Sequence, residues 1–215
     1  MVATRPAPQS LIGRFIRLDP MTPSDYPALA EGLDRPEVFA GGWGGGPATY
    51  TGSREDFLRF VARYYEVEGG ERLNVTARIA TGPDAGTVVG ASALADLNEA
   101  KEYAHLGWTG FRPEVWGTAV NVEAKLLMLD HAFAHGYGRI KLQADELNAR
   151  SRAAILKLGA TFEGLIRREQ QRADGSWRTT AQFAIIVDDW PEVRARLVAR
   201  LDAWGDEPIT LTRRG

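Results

Sequence analysis

The period of hydrophobic and polar positions changes several times along the chain, and each change predicts an element. "RFIRLDPM" (14–21) alternates as a half-buried strand. "TPSDYPALAEGL" (22–33) follows with helical spacing, capped by Thr22 or Ser24. "REDFLRFVARYYEV" (54–67) puts Phe57, Phe60, Val61 and Tyr64 on one face of a second helix. The stretch between them, "RPEVFAGGWGGGPATYTGS" (35–53), is too dense in glycine for regular structure and reads as a loop. Strands follow at 74–80, 86–97 and 102–111, the first two joined as an antiparallel hairpin by the turn "TGPDAG".

The helix 120–135 carries Val122, Leu126, Leu129 and Phe133 on one face, widened by Leu127 and Met128, so it packs hard against a sheet. A short strand (139–145) leads to a helix (148–160) that Gly159 ends. A last hairpin turns at Asp174-Gly175, and an amphipathic helix (190–204) closes the chain with Val193, Leu197 and Leu201 on one side. Residues 1–10 read as a disordered arm and 206–215 as a tail, which leaves one domain over 11–205. The order β-α-α-β-β-β-α-β-α-β-β-α predicts an α/β (α+β) fold with a mixed, mostly antiparallel central sheet and helices on both faces.

Composition narrows the function classes. A net charge of -2 gives no electrostatic reason to expect nucleic acid or an anionic membrane as partner. The absence of cysteine excludes disulfides, Cys-based zinc sites and a thiol nucleophile. No apolar run reaches membrane-spanning length and the first residues lack a signal-peptide core, so a cytoplasmic protein is expected. His105, His131 and His135 lack metal-ligand spacing, so no metal is expected. The apolar face of 190–204 either forms a homodimer or covers the sheet.

Three stretches carry candidate chemistry. "GGWGGGPAT" resembles a nucleotide loop in composition, but it follows no strand and no Walker lysine comes after it. It is either a mobile surface loop or a substrate-gating loop with Trp43 as an aromatic lid. "WGTAVN" (116–121) opens the 120–135 helix with small residues. The unpaired N–H groups and dipole of a helix start suit a pyrophosphate there. "NARS" (148–151) opens the next helix, where Asn148 is either a plain N-cap or a ligand to something lying between the two helices.

The element order, together with "FRPEVWGTAVNVEAKLLMLDHAF" and "LNARSRAAILKLGATFEG", resembles the GCN5-related N-acetyltransferases (GNAT), in particular their ribosomal-protein N-terminal acetyltransferase-like branch. The resemblance covers about residues 10 to 187. It implies the GNAT fold, acetyl-CoA as cosubstrate, and an amine acceptor that is a protein N-terminus or a small molecule. It also implies that the pyrophosphate of coenzyme A lies on Trp116, Gly117, Thr118, Ala119, Val120 and Asn121. Here Trp116 replaces the family's basic or amide residue, and Ala119 and Asn121 replace smaller ones. By the same resemblance, the strand ending "WTGF" splays from its neighbour and offers backbone groups of Thr109, Gly110 and Phe111 to the pantetheine arm, with Asn148 on the far side. The thiolate-protonating tyrosine of many members is here Ile155, and the branch's serine is Ser151.

The expected chemistry is direct attack of a neutral amine on the thioester. Backbone N–H groups near Thr109 stabilise the oxyanion and Ser151 donates to the sulfur. His105 is the candidate base because its pKa suits the task, with Glu102, Glu163, Glu169 or water as alternatives. Trp43 and Asp96 are expected to shape the acceptor pocket. The competing reading of the same residues is a coenzyme A-binding sensor that transfers nothing.

Overall fold

The computed structural model describes residues 2–172 and 174–211. Among them, eight strands form one sheet in the order β1-β2-β3-β4-β5-β6-β8-β7. β1 (Leu11–Ile12), β2 (Ile16–Pro20), β3 (Leu73–Ile79), β4 (Val88–Asn98) and β5 (Tyr103–Phe111) pair antiparallel in succession. β6 (Arg139–Asp145) joins β5 in parallel, and β8 (Trp177–Ile186) then pairs antiparallel with both β6 and the edge strand β7 (Thr161–Gln171). The mostly antiparallel sheet agrees with the sequence expectation, and the expected strands occur in order with the short edge strand β1 added.

Helices cover both faces, each over its own apolar cluster. On one face lie α4 (Ala119–Ala134) and α6 (Trp190–Trp204), packed on Val75, Val89, Leu94, Ala104, Leu106 and their neighbours. The apolar side of α6, with Val193, Leu197 and Leu201, is buried in this cluster against α4, so it covers the core. α5 (Ala149–Leu158) adds Ile155 and Leu158, and Gly159 ends it in the left-handed region (φ 98°) that its sequence anticipated. The other face carries α1 (Tyr26–Leu33), α2 (Pro36–Ala40) and α3 (Arg54–Tyr65) over Met21, Val88 and Ala91. Truncating a fully buried side chain such as Leu129 to alanine costs about 2–5 kcal/mol in such a core.

Three expectations are corrected here. The 35–53 segment is not a loop throughout. It forms α2 and two short 3₁₀ turns, with Gly42, Gly44, Gly45 and Gly46 supplying the positive φ angles between them. The density of glycine signalled tight turning rather than disorder. The amino-terminal arm is ordered from residue 2: Ala3 is buried, and the Thr4 N–H donates to the His135 carbonyl at 2.9 Å. The tail packs too, with Ile209 buried and the Leu211 N–H on Asp84 Oδ2 at 2.9 Å; residues 212–215 lie outside the described residues. Short apolar anchors decide both cases, and a single Ala or Ile carries no periodic signal.

One buried carboxylate ties the amino-terminal strand to the central helix. Glu123 of α4 accepts the backbone N–H groups of Arg14, Phe15 and Ile16 at 2.7–2.8 Å. These are the donors that the start of β2 cannot satisfy within the sheet, which gives a charged group reason to be buried there. Gly13 beside it has no room for a Cβ, which would lie 2.4 Å from the carboxyl carbon.

Candidate active site

β5 and β6 pair only through Tyr103↔Arg139, Ala104↔Ile140 and His105↔Lys141. Beyond His105 the two strands diverge and open a cleft. The cause lies in β5. Its register with β4 jumps from Ala93↔Gly107 to Ala91↔Gly110, so Trp108 and Thr109 together face Ser92 as a bulge. Trp108 takes a left-handed conformation (φ 51°), which is strained for an aromatic residue. The surroundings hold it there. The Tyr65 hydroxyl donates to the Trp108 carbonyl at 2.8 Å, the His105 ring packs on the indole at 4.9 Å, and the Arg72 guanidinium lies 4.5 Å over it.

The β5 wall of the cleft leads into the small-residue turn. Trp116 Nε1 donates to the Phe111 carbonyl at 2.8 Å, which ties the turn to the end of β5. Gly117 is left-handed (φ 78°) with open space on its Cβ side. Thr118 caps α4: its Oγ1 accepts from the Val120 N–H at 3.3 Å and donates to the Val115 carbonyl at 2.7 Å. Among the described residues no hydrogen bond engages the N–H groups of Gly117, Ala119 or Asn121. Three bare donors at the positive end of a sixteen-residue helix fit a pyrophosphate. The basic residue absent from position 116 is replaced in space: the Arg150 guanidinium of α5 stacks 3.9 Å over the Trp116 ring.

The β6 wall leads into α5. Asn148 is the N-cap, its Oδ1 accepting the Ser151 N–H at 2.9 Å, while its Nδ2 donates to the Gly41 carbonyl at 2.8 Å. The plain capping role is therefore real, and the same side chain also pins the glycine-rich segment. A Cβ on Gly42 would lie 2.2 Å from that Nδ2, which explains a glycine there. The Ser151 hydroxyl has no partner among the described residues.

Trp43 is not a lid. It is 7% exposed, wedged among Phe39, Phe57, Phe60 and Tyr64, and its indole lies where a Cβ on Gly110 would be. An aromatic side chain in a glycine-rich stretch reads as mobile in sequence, but the tertiary fold gives it a complete apolar socket.

Asp96 adjoins His105. A second left-handed residue (φ 50°) at an irregularity in β4, it places Oδ2 at 3.3 Å from His105 Nδ1 and 3.0 Å from Lys141 Nζ. The hydrogen bond from His105 and the ammonium of Lys141 hold its carboxyl well below the usual range. It contacts and orients His105, with its side chain still half-exposed. Burial pushes the His105 pKa below its ordinary value, and the bond to Asp96 opposes that shift. With Nδ1 donating to a carboxylate, Nε2 carries the lone pair. The alternative base Glu163 is occupied by Arg139 and Gln182, and Glu169 by Gln143.

Sequence reasoning missed Lys125 and Ser92. Lys125 stands three residues after Val122 and four before Leu129, inside the apolar stripe of α4. It is buried, and its Nζ donates to Thr109 Oγ1 and, at 3.3 Å, to Ser92 Oγ. A charge within an apolar stripe was the available signal.

Comparison with known proteins bears on this geometry. The acetyltransferase (GNAT) domain family matches residues 16–161. Comparison with curated sequences gives no significant match. A provisionally assigned acetyltransferase of known structure is 28% identical, with a TM-score of 0.78 over 92% of this chain and 100% of its own. A GCN5-related N-acetyltransferase from Brucella melitensis is 23% identical (TM-score 0.78, 92% of this chain and 87% of that one). Mycobacterium smegmatis RimJ, solved with CoA-disulfide, is 22% identical (TM-score 0.68, 89% and 91%). The last two share the fold. With a splayed parallel strand pair, a bare helix start beside it and a family match over most of its length, this chain belongs to the GNAT acetyltransferases, enzymes that take an acetyl group from acetyl-CoA.

Proposed function

We propose that the protein transfers the acetyl group directly from acetyl-CoA to a primary amine, with both substrates bound together in the β5–β6 cleft. The observation that carries this reading is His105. It is the last paired residue before the strands part, it is held by Asp96, and its Nε2 is kept as a proton acceptor. A ternary mechanism needs such a base, because an alkylamine is mostly protonated near neutral pH.

Bound in the cleft, acetyl-CoA supplies an acyl group activated as a thioester. The free N–H groups of Gly117, Ala119 and Asn121 hold its pyrophosphate, with the Arg150 guanidinium beside them. Trp116, Thr118 and Val120 shape that turn rather than grip the ligand, since their polar groups are bonded within the chain. The bulge at Trp108–Thr109 presents backbone donors where negative charge develops on the acyl oxygen, an effect worth about 100- to 1000-fold per donor in well-studied sites. As the C–N bond forms, the amine proton passes to His105 Nε2. As the C–S bond breaks, the free Ser151 hydroxyl donates to the departing sulfur.

The resemblance to ribosomal-protein acetyltransferases makes protein N-termini one acceptor class and small amines the other. The test is calorimetric titration with acetyl-CoA, followed by a thiol-release assay against peptides with free N-termini and a panel of small amines. The lack of cysteine lets a thiol reagent report coenzyme A alone. Amine-dependent release identifies the acceptor class. Tight binding with no release above the buffer rate for any amine defeats the reading.

A further inference from the structure

The buried group that the mechanism above leaves unused is Lys125. It lies in the interior with no carboxylate within ion-pair distance among the described residues, an arrangement that costs several kcal/mol for a charged ammonium. Burial alone pushes its pKa down to about 7. Glu123, two residues earlier on α4, gives its oxygens to the β2 backbone and not to Lys125. Stability does not explain a lysine here, because a methionine would fill the same stripe without desolvating a charge.

The neighbours of the ammonium are specific. Its Nζ bonds the hydroxyls of Ser92 and Thr109, which also bond each other at 2.7 Å. Both hydroxyls also lie within hydrogen-bond reach of the Gly107 carbonyl, at 3.1 and 3.2 Å; with one proton each, one donates to its neighbour and the other to that carbonyl. Ser92, Gly107 and Thr109 are the residues that frame the bulge in β5, where the strand leaves β6. The whole cluster lies on the α4 face of the sheet, behind the backbone that lines the cleft.

We propose that Lys125 is a positioning and electrostatic residue for acetyl transfer, which acts through Thr109 and Ser92 to fix the bulge and to place a positive charge behind the developing oxyanion. The inference rests on the cleft being the transfer site. Lys125 touches neither substrate. In the ground state its charge lacks a counter-charge. When the amine nitrogen bonds to the acyl carbon, negative charge moves onto the acyl oxygen on the other side of the strand, and the ammonium is then compensated across a low-dielectric interior. An interaction absent in the ground state and present in the transition state raises kcat without tightening substrate binding.

The test measures thiol release by the full-length protein, both with the responsive amine and from slow hydrolysis of acetyl-CoA alone, since water attack develops the same oxyanion. Lys125→Met keeps the volume and removes the charge. At pH 7 and below, where the ammonium is charged, its expected kcat is about tenfold or more below wild type, with KM for acetyl-CoA within about threefold. Thr109→Val is expected to lose a similar factor, Thr109→Ser to retain activity, and the double variant Lys125→Met/Thr109→Val to lose no more than the worse single variant. Wild-type kcat in Lys125→Met overturns the role of Lys125 while amine-dependent release in wild type leaves acetyl transfer standing. A variant that loses affinity and melting temperature but keeps kcat assigns Lys125 to the core instead. Wild-type protein that releases no thiol overturns both inferences.

Discussion

The two faces of β5 hold two lysines in opposite situations. On the cleft-facing side, Lys141 meets Asp96 at 3.0 Å, and His105 shares the same carboxylate. On the α4 side, Lys125 meets the hydroxyls of Ser92 and Thr109 and no carboxylate among the described residues. The first group is balanced before any substrate arrives, and its product is a neutral histidine with one defined tautomer. The second is unbalanced, and it becomes compensated only when negative charge appears nearby. Under the proposed mechanism, one strand separates a site organised to accept a proton from a site organised to await an anion. The bulge at Trp108–Thr109 is the element they share.

Substitutions that break this contrast are ranked by their expected effect. His105→Gln removes the proton acceptor while keeping polarity and size, and kcat/KM is expected to fall by about 100-fold or more at neutral pH. Steady-state thiol release checks it, and a loss below about threefold would transfer the base role to water. Asp96→Asn is expected to cost about tenfold. Because the bond to Asp96 raises the His105 pKa against burial, its loss lowers that pKa further, so the acid limb of the kcat/KM profile moves to lower pH. An acid limb that stays in place separates Asp96 from the titrating group.

The Lys125 side predicts a stability effect with a defined sign. Its folded pKa, about 7, lies below that of a free lysine, so between about pH 7 and 10 the unfolded chain binds the extra proton. Stability contributed by this group therefore rises with pH through that window and is lowest below it. Lys125→Met removes the dependence. Its melting temperature is expected to exceed that of wild type at pH 6, and the gap to shrink by pH 9. A gap that is constant with pH would mean the ammonium finds a counter-charge in solution. The smallest expected effect belongs to Ser92→Ala, which removes one of two Lys125 partners and lowers kcat about two- to threefold.

The legible part of this site was local. The strand 139–145 was read at its observed bounds, the 149–158 helix with its Asn148 cap and Gly159 end, and the small-residue turn before α4, because each depends on residues within one or two turns of one another. The glycine-rich segment was misread because its order comes from distant partners: Asn148 at Gly42, Phe60 at Gly44 and Trp43 on Gly110. The contact of Asp96 with His105 was not legible in the sequence. The two are nine residues apart across a turn whose irregular register no alternation pattern encodes.

By itself the sequence determined the order of elements, the sheet with helices on both faces, and the helix start that can hold a phosphate. Hydrophobic period and capping chemistry are short-range and survive in any context that buries the apolar face. Only the tertiary structure decided what Lys125, Asp96 and Trp43 do. The state of a buried charge and the freedom of a ring depend on which atoms surround them, and those atoms come from strands and helices far apart in the chain.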